Sequence, residues 1–353
     1  MISPAPNSVH RANVPINKIH LSVAATSVLS PLGFALLRRL SDGKLHSGEA
    51  LAAATGVTRA RVSQILRASE SAGFTLERIR GVGYRLVDPV PFLDRDAIVA
   101  ALGTAAPRLK IEVADSVDST SSELLRRAAR QAVDRQVLVA EWQTAGRGRR
   151  GRKWTAVAGG SLTFSLGWRF EQGAGFLAGL SLAVGVALCR ALDAAGFKDI
   201  QLKWPNDLVH RHCKIGGILI EISGDALGPA LAIIGVGLNV RLPASARHDI
   251  AQPITDLASI DRERALDRNR LLAFILAELC ALLERYARDG FAPFVAEWQR
   301  RHALQKKPVR VLLPDGSVTA GEVVGVDASG ALVLDQRGRR VRFVSGEVSL
   351  RRG

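Results

Sequence analysis

Apolar side chains recur at helical spacing in three short segments near the start of the chain. The segments are residues 31–40, the run after Ser47 and the run after Thr58, and both hydroxyl residues are placed to cap a helix. Two short strands follow at 74–80 and 84–87, joined through a glycine-rich turn. Three helices followed by a hairpin is the order of a winged helix-turn-helix, and we predict that fold here.

The rest of the chain alternates helical and strand patterns. Residues 92–305 predict a mixed α/β unit with helices at 121–133, 179–195 and 268–286 and strands at 137–141, 162–168, 200–203, 215–222 and 231–238. Beyond residue 308, short strands alternate with turns at 314–316, 327–330 and 337–338, which predicts a small antiparallel β-barrel. The fold class we predict is therefore α+β, in three parts.

The composition is that of a folded globular protein. Of 353 residues, 47% are hydrophobic and 23% are charged, which excludes a wholly disordered chain. The uncharged run 172–189 contains Gly175 and Gly179 in a GxxxG pattern, but its glycine and alanine content favours a closely packed core helix over a membrane span. Three cysteines without metal-like spacing predict free thiols in a reducing compartment, the cytoplasm.

Positive charge is concentrated at the start of the chain. The formal net charge is +15, which indicates an anionic partner. Residues 1–87 carry eleven Lys or Arg against four Asp or Glu. The third predicted helix turns Val62, Ile65 and Leu66 inward, so its arginines face outward. The N-terminal quarter is therefore the strongest candidate for contact with an anionic partner.

The most unusual segment is Gly146–Trp154, in which every non-glycine residue from 147 to 153 is basic. Its glycines match the GxGxxG fingerprint of dinucleotide-binding loops, but such a loop must open a helix and here a strand pattern follows. Neighbouring cations repel one another, and glycines let the backbone close around an anion. We interpret the segment as a phosphate clamp that becomes ordered on binding, with Trp154 closing over the ligand. A solvated basic loop or a nucleic-acid patch is the alternative.

Four further segments place polar groups where a ligand could reach them. Asp118–Ser121 lies at a predicted helix start, although T-x-x-E there is also an ordinary capping box. In Lys203–Asp207 a proline turn projects an amide and a carboxylate. Lys214 opens an otherwise apolar strand, which indicates either a bound anion or an exposed strand start. The glycines of Gly235–Val240 let a ligand approach a strand.

These segments occur together in the order found in biotin protein ligases. The matching stretches are Asp118-Ser119-Thr120, Glu141-x-Gln143-x-Ala145, Gly146–Trp154, Lys203–Asp207, Lys214–Glu221 and Gly237-Leu238-Asn239. With its predicted winged helix, the chain resembles the bifunctional biotin ligase and biotin-operon repressor of bacteria over roughly residues 30–353. The resemblance implies a flexible tail (1–28), a winged helix domain (29–88), a catalytic domain of the biotin/lipoyl ligase type (89–305) and an SH3-like domain (306–353).

The resemblance also implies an activity and its residues. Such ligases form biotinyl-5′-adenylate from biotin and Mg-ATP and transfer biotin to a lysine of the biotin carboxyl carrier protein of acetyl-CoA carboxylase. Lys214 would be the central catalytic cation, assisted by Arg149. Contacts to biotin are implied for Ser119, Thr120, Ser121, Gln143, Arg147, Gly148, Arg149 and Lys214. Contacts to the nucleotide are implied for Arg152, Trp154, Lys203, Asn206 and Asn239, and Asp207 would help to hold Mg²⁺. Ser121 departs from the asparagine that bacterial ligases often have.

In the repressor members, the adenylate is a corepressor that promotes homodimerisation and places two winged helices on operator DNA. The resemblance therefore implies DNA contacts from Arg59, Arg61, Ser63, Gln64, Arg67 and Arg80. The alternative is a solvated basic helix in a vestigial domain.

Three functions stay open at this point. The first is a biotin ligase that also represses biotin biosynthesis genes. The second is a ligand-sensing DNA-binding regulator with little catalysis, against which the intact Lys214 and basic loop argue. The third is a ligase for lipoate or another acyl acid, but those relatives generally lack both the Gly146–Trp154 pattern and a winged helix.

Overall fold

The computed structural model describes residues 29–352, except 71, 73, 90, 105–108, 244–251, 314–316 and 345–348. The predicted flexible tail of residues 1–28 lies outside the described residues, as does the predicted turn at 314–316. The strands of the described chain form three sheets, of two, seven and five strands.

The N-terminal part has the predicted order of three helices and a hairpin. Its elements are α1 (Pro31–Leu40), α2 (Gly48–Thr55), α3 (Arg59–Glu70), β1 (Leu76–Ile79) and β2 (Gly83–Leu86). The Ser47 hydroxyl accepts a hydrogen bond from the amide of Ala50, and the Thr58 hydroxyl accepts one from the amide of Arg61. Both predicted helix caps are therefore confirmed.

The core of the N-terminal part continues into the middle of the chain. The ring of Phe92 lies 6.4 Å from that of Phe34 and 6.2 Å from that of Phe74, between centroids. Trp142 and Ala158 belong to the same buried cluster. One hydrophobic cluster thus crosses the predicted boundary at residues 88–89, so the N-terminal part is docked and not loosely tethered.

The central part is a seven-stranded sheet with helices packed on it. Its strands are β3 (Lys110–Val117), β4 (Gln136–Gln143), β5 (Ser161–Phe170), β6 (Gln201–Lys203), β7 (Asp207–His210), β8 (Cys213–Gly224) and β9 (Ala230–Asn239). They lie in the order β3-β4-β5-β9-β8-β7-β6, and only β3 and β4 pair in parallel among the described strands. The helices are α4 (Arg95–Leu102), α5 (Thr120–Ala128), α6 (Leu180–Ala194), α7 (Leu257–Ile260), α8 (Arg268–Asp289) and α9 (Val295–Arg301).

The uncharged run 172–189 contributes a core helix, as predicted, but its packing differs from the expectation. Gly175 lies in a 3-10 turn before α6 and would accept a Cβ without meeting any atom, and Gly179 precedes the helix with φ of 84°. The close approach is made at Gly185, where a Cβ would lie 3.0 Å from the side chain of Leu202. No helix of the described chain has the length and apolar character to cross a membrane. The three cysteines carry free thiols, as predicted.

The C-terminal part is a small antiparallel sheet. Its strands are β10 (Pro308–Leu312), β11 (Val318–Val326), β12 (Leu332–Gln336), β13 (Arg339–Phe343) and β14 (Ser349–Arg352), in the order β13-β12-β11-β10-β14. The predicted turns at 327–330 and 337–338 are present.

The N-terminal and C-terminal parts attach to opposite ends of the central sheet. At the β3 end, Arg38 of α1 forms a 2.6 Å ion pair with Asp115. At the β6 end, the indole nitrogen of Trp204 donates to the carbonyl of Gly330 at 3.0 Å. The functional site described below lies between these two attachments.

His302 follows α9, just before the C-terminal part, and makes the free energy of unfolding depend on pH. Its ring is buried against Trp298, with 4.5 Å between centroids, and neither nitrogen has a hydrogen-bond partner among the described residues. Burial lowers the pKa of His302 from 6.5 to about 4. Below pH 6.5, His302 is therefore protonated in the unfolded chain but stays neutral in the folded chain. The free energy of unfolding consequently falls as the pH drops from 6.5 to 4.

We expect His302 to contribute a loss of about 3 kcal/mol in the free energy of unfolding between pH 7 and pH 4. Urea unfolding of the wild type and of His302→Phe at both pH values measures this contribution. The variant should lose less stability than the wild type on acidification. Equal losses in the two proteins would contradict the prediction.

Candidate functional site

A cavity of about 190 Å³ opens in the central part, between the basic loop and the sheet. Its wall is formed by the start of α5, the end of β4, the Gly146–Trp154 loop, the segment between β6 and β7, and the facing stretches of β8 and β9. Every residue predicted to contact biotin lines this cavity, and so do Asp207 and the predicted nucleotide residues other than Asn239. Asn239 is buried beside it and donates to the carbonyl of Thr255 at 3.1 Å.

Hydroxyl and amide groups form one part of the cavity wall. The Ser119 side chain caps α5 by accepting from the amide of Ser122, so the capping box predicted at Thr120 and Glu123 is wrong. Thr120 instead donates from its amide to Oε1 of Gln143 at 2.8 Å, and from its hydroxyl at 3.1 Å. These two hydrogen bonds hold Thr120 and Gln143 together in the cavity wall.

Ser165 lies behind these hydroxyl groups and was not predicted from the sequence. It lies on β5 and is fully buried, with its Oγ 2.8 Å from the hydroxyl of Thr120 and 2.9 Å from that of Ser121. The strand was predicted from the apolar residues that alternate along β5, and these lie on its other face. A serine facing away from those residues, on a strand buried on both sides, is the signal that could have found it.

An ion pair forms the centre of the cavity wall. The ammonium of Lys214 lies 2.7 Å from Oδ1 of Asp207, and both side chains are about four-fifths buried. The same ammonium lies 5.9 Å from the centre of the Trp154 ring. Lys214 is therefore not an exposed strand start, and its anionic partner in the free protein is the carboxylate of Asp207.

The basic loop folds back on itself as a hairpin. The amide of Gly148 donates to the carbonyl of Arg152 at 2.7 Å, and the amide of Trp154 donates to that of Gly146 at 2.9 Å. Between them lies a 3-10 turn, and β5 is the next regular element, so the loop does not open an α-helix. The dinucleotide interpretation is thus excluded, as the sequence indicated.

Two arginines of this loop reach across the cavity. Arg147 pairs with Glu221 at 2.8 Å, and Arg149 donates to Oδ1 of Asn206 at 3.3 Å. Burial lowers the pKa of the Arg149 guanidinium. A partly desolvated guanidinium interacts more strongly with an anion than one in bulk water does.

The glycines of β9 let side chains from other segments pack directly against the strand. A Cβ at Gly237 would collide with the indole of Trp154, and a Cβ at Gly235 would lie 2.6 Å from Oγ of Ser121. The close approach predicted for a ligand is therefore made by these two side chains. The indole nitrogen of Trp154 is buried and has no hydrogen-bond acceptor among the described residues.

The charge around the cavity is strongly positive. Among the described lining residues, one carboxylate, Asp207, stands against seven cations: Arg147, Arg149, Arg150, Arg152, Lys153, Lys203 and Lys214. Such a wall can hold two anionic groups that repel each other in water. The described residues contain no cluster of three or more His, Cys, Asp or Glu side chains placed to hold a metal. A single carboxylate fits Mg²⁺ that arrives bound to phosphate.

Comparisons with known proteins agree with this site. Residues 113–239 match the Biotin/lipoate A/B protein ligase family, and residues 307–351 match the biotin protein ligase C-terminal domain. The chain is 34% identical over 319 residues to the bifunctional ligase/repressor BirA of Escherichia coli. The aligned residues cover 90% of this chain and 96% of that protein. It is 35% identical over 266 residues to the biotin–acetyl-CoA-carboxylase ligase of Mycobacterium tuberculosis, covering 73% and 95%.

A solved structure shares the fold. The biotin protein ligase from Aquifex aeolicus, in complex with biotin and ATP, aligns with a TM-score of 0.59 at 29% identity, over 69% of this chain and 99% of that one. The family match at 113–239 contains every residue predicted to contact biotin. Fold, cavity and sequence identity agree: the chain belongs to the biotin protein ligases.

Proposed function

We propose that this protein joins biotin to ATP as biotinyl-5′-adenylate and then transfers the biotinyl group to a lysine of a biotin carboxyl carrier protein. In the first step the biotin carboxylate attacks the α-phosphorus of ATP and pyrophosphate leaves. In the second step the lysine amine attacks the acyl carbon and AMP leaves. The observation that carries the proposal is one cavity whose wall combines seven cations with a cluster of hydroxyl and amide groups.

The hydroxyl–amide cluster suits the neutral, polar ring system of biotin. Ser119, Thr120, Ser121 and Gln143 offer donors and acceptors there, and Ser165 holds two of these hydroxyls in place. Biotin's carboxylate would then extend toward the cations, where Arg147, the Gly148 backbone, Arg149 and Lys214 receive it. We assign catalysis to Lys214 and Arg149, because they stabilise charge that develops as the carboxylate meets phosphorus.

The nucleotide would lie among the other cations of the wall. Arg152 and Lys203 are placed to bind phosphate oxygens, Asn206 positions Arg149, and Trp154 offers both its ring and an unsatisfied indole N–H. We assign Asn239 an indirect role, since its amide holds Thr255. Mg²⁺ bound with ATP supplies neutralisation of phosphate charge, and Asp207 would help to hold it.

The test is biotin-dependent exchange of pyrophosphate into ATP, with lipoate and octanoate as alternative acids. We expect exchange with biotin and none above background with the other two. Exchange with lipoate or octanoate in place of biotin would favour the acyl-ligase alternative. No exchange with any acid would favour the sensor with little catalysis.

We further infer that the protein represses transcription as a homodimer, with biotinyl-5′-AMP as corepressor. On this view residues 29–88 form a winged helix domain, 89–305 the catalytic domain and 306–353 an SH3-like domain. The supporting observation is α3, whose Arg59, Arg61, Gln64 and Arg67 are exposed and whose Ser63 is half-buried. Arg80 is exposed in the turn between β1 and β2, on the side expected of a wing.

Replacing Arg61 and Arg67 together with alanine should weaken operator binding by about tenfold or more and leave biotin transfer unchanged. Their partners in the described structure are the neutral Gln64 and Ser63, so both charges are available to phosphate. Titration of operator DNA at several salt concentrations measures the effect, and the salt dependence should become shallower. Arg130→Ala with Arg288→Ala, two exposed arginines elsewhere, is the control. Unchanged DNA affinity in the α3 variant would refute this assignment.

A further inference from the structure

We propose that Glu221 competes with biotin for the guanidinium of Arg147, and that this competition sets the affinity of the free protein for biotin. The inference rests on the proposed ligase function, since Arg147 is one of the cations assigned there to the biotin carboxylate. Glu221 follows the stretch of β8 that faces the cavity and is not among the described residues that line it. Its role would be to hold Arg147 until biotin binds.

The Arg147 guanidinium is already paired in the free protein. Its two terminal nitrogens lie 2.8 Å and 3.2 Å from the two carboxylate oxygens of Glu221, an arrangement that suits the planar guanidinium. The guanidinium also donates to the hydroxyl of Ser122 at 3.2 Å. The Glu221 side chain is four-fifths buried, so salt and water screen this pair less than a fully exposed one. Arg147 is therefore held by an anion before any substrate arrives.

The other two side-chain cations assigned to the carboxylate lie together in a different place. Lys214 pairs with Asp207 at 2.7 Å, and Arg149 donates at 3.3 Å to Asn206, the residue before it. The Asp207 carboxylate also attracts Arg149. A biotin carboxylate that meets both Lys214 and Arg149 must therefore bind near the start of β7.

Arg147 is too far from that place to share one carboxylate with these two cations. Lys214 and Glu221 are seven residues apart on β8, which corresponds to roughly 20 Å of strand. One carboxylate joins only cations that lie within a few ångströms of each other, because each charge-assisted hydrogen bond spans about 2.8 Å. Arg147 must therefore leave Glu221 to join Lys214 and Arg149. Glycines flank Arg147 on both sides, so the backbone there has the freedom to turn.

Biotin then exchanges one carboxylate for another at Arg147. The apparent affinity for a ligand falls with the fraction of molecules that are ready to bind it, and pairing with Glu221 reduces that fraction. Replacing Glu221 with glutamine keeps the shape of the side chain and removes its charge, so biotin should bind more tightly. A glutamate that only kept the loop in shape would have the opposite effect, because its loss would weaken binding.

The experiment measures the Kd of biotin by calorimetry, without ATP, for the wild type and Glu221→Gln. We expect the variant to lower the Kd about threefold, the effect of removing a partly exposed ion pair that competes with the ligand. Biotinamide, in which a neutral amide replaces the carboxylate, is the second probe. It should bind both proteins equally, because it offers Arg147 no carboxylate in exchange for Glu221.

Two further variants test whether the effect passes through Arg147. Glu123→Gln removes the same charge from α5, where the partners are Arg126 and Arg127, and should keep the wild-type Kd. Arg147→Ala should bind biotin more weakly than the wild type, and adding Glu221→Gln to it should change nothing further.

An unchanged or higher Kd for biotin in Glu221→Gln would overturn the proposal. Equal tightening by Glu123→Gln, for biotinamide or in the Arg147→Ala background would overturn it in favour of a general effect of charge. If the wild type itself binds no biotin, the proposed ligase function fails and the proposal with it. Binding by the wild type with no gain in the variant refutes the role of Glu221 alone.

Discussion

Replacing Lys214 with alanine is expected to lower biotin-dependent ATP–pyrophosphate exchange by about 10³-fold. The Lys214 ammonium is a cation of the cavity wall, partly buried and 2.7 Å from Asp207. Without it, less positive charge would offset the repulsion between the biotin carboxylate and the α-phosphate. The Asp207 carboxylate would then add a third negative charge. The loss should appear in kcat, because the missing interaction is strongest in the transition state.

Two controls separate catalysis from repulsion and from folding. Lys198→Ala removes an exposed lysine that does not line this cavity and should leave exchange unchanged. Asp207→Ala combined with Lys214→Ala removes the unpaired carboxylate as well, and recovery of more than tenfold would show that repulsion causes much of the loss. Lys198→Ala should melt with the wild type, whereas Lys214→Ala leaves a mostly buried carboxylate without its cation and should melt at a lower temperature. Exchange is therefore compared at a temperature at which every variant is folded. Exchange by Lys214→Ala within tenfold of the wild type would contradict the catalytic assignment.

The strands that could be predicted are those with a strong apolar pattern. β5, β8 and β9 lie in the middle of the sheet, and their sequences are mainly apolar. β5 and β9 are buried on both faces. β3 was missed because it is an edge strand whose residues are mostly half-exposed, so charged residues interrupt its pattern. β7 was missed because its two apolar residues, Leu208 and Val209, are adjacent and lie between Asp207 and His210, so its sequence shows no alternation.

In the candidate site, too, some residues could be predicted from the sequence and others could not. Residues within one continuous motif, such as Arg147 to Trp154, could be placed together at a site from the sequence, because they are neighbours in the chain. The pairing of Lys214 with Asp207 depends on the register between β7 and β8, which includes a shift between Leu208 and Val209. Local spacing does not determine such a register. Ser165 was hidden for the same reason, since its partners lie more than forty positions away.

A buried ion pair connects the site to the segment that follows the N-terminal part. Arg268 of α8 lies 2.8 Å from Glu141 of β4, with side-chain exposures of 2% and 0%. Glu141 also accepts from the amide of Leu93, and Arg268 donates to the carbonyl of Pro91 at 3.0 Å. Glu141 stands two residues before Gln143 on the same strand. The pair therefore fixes both the docked segment and the strand that presents Gln143 to the cavity.

Replacing Arg268 with methionine should lower the free energy of unfolding by about 3–5 kcal/mol, because the Glu141 carboxylate would stay buried without its cation. Urea unfolding at pH 7 measures the loss. Arg285→Met, on an exposed arginine of the same helix, should cost about 1 kcal/mol or less. Glu141→Leu combined with Arg268→Met should recover much of the stability, since replacing both members of a buried pair with apolar residues is often nearly neutral. A loss below about 1 kcal/mol in the single variant would contradict this account. A double variant as unstable as the single one would show that the hydrogen bonds to Pro91 and Leu93 stabilise the joint more than the charge pair does.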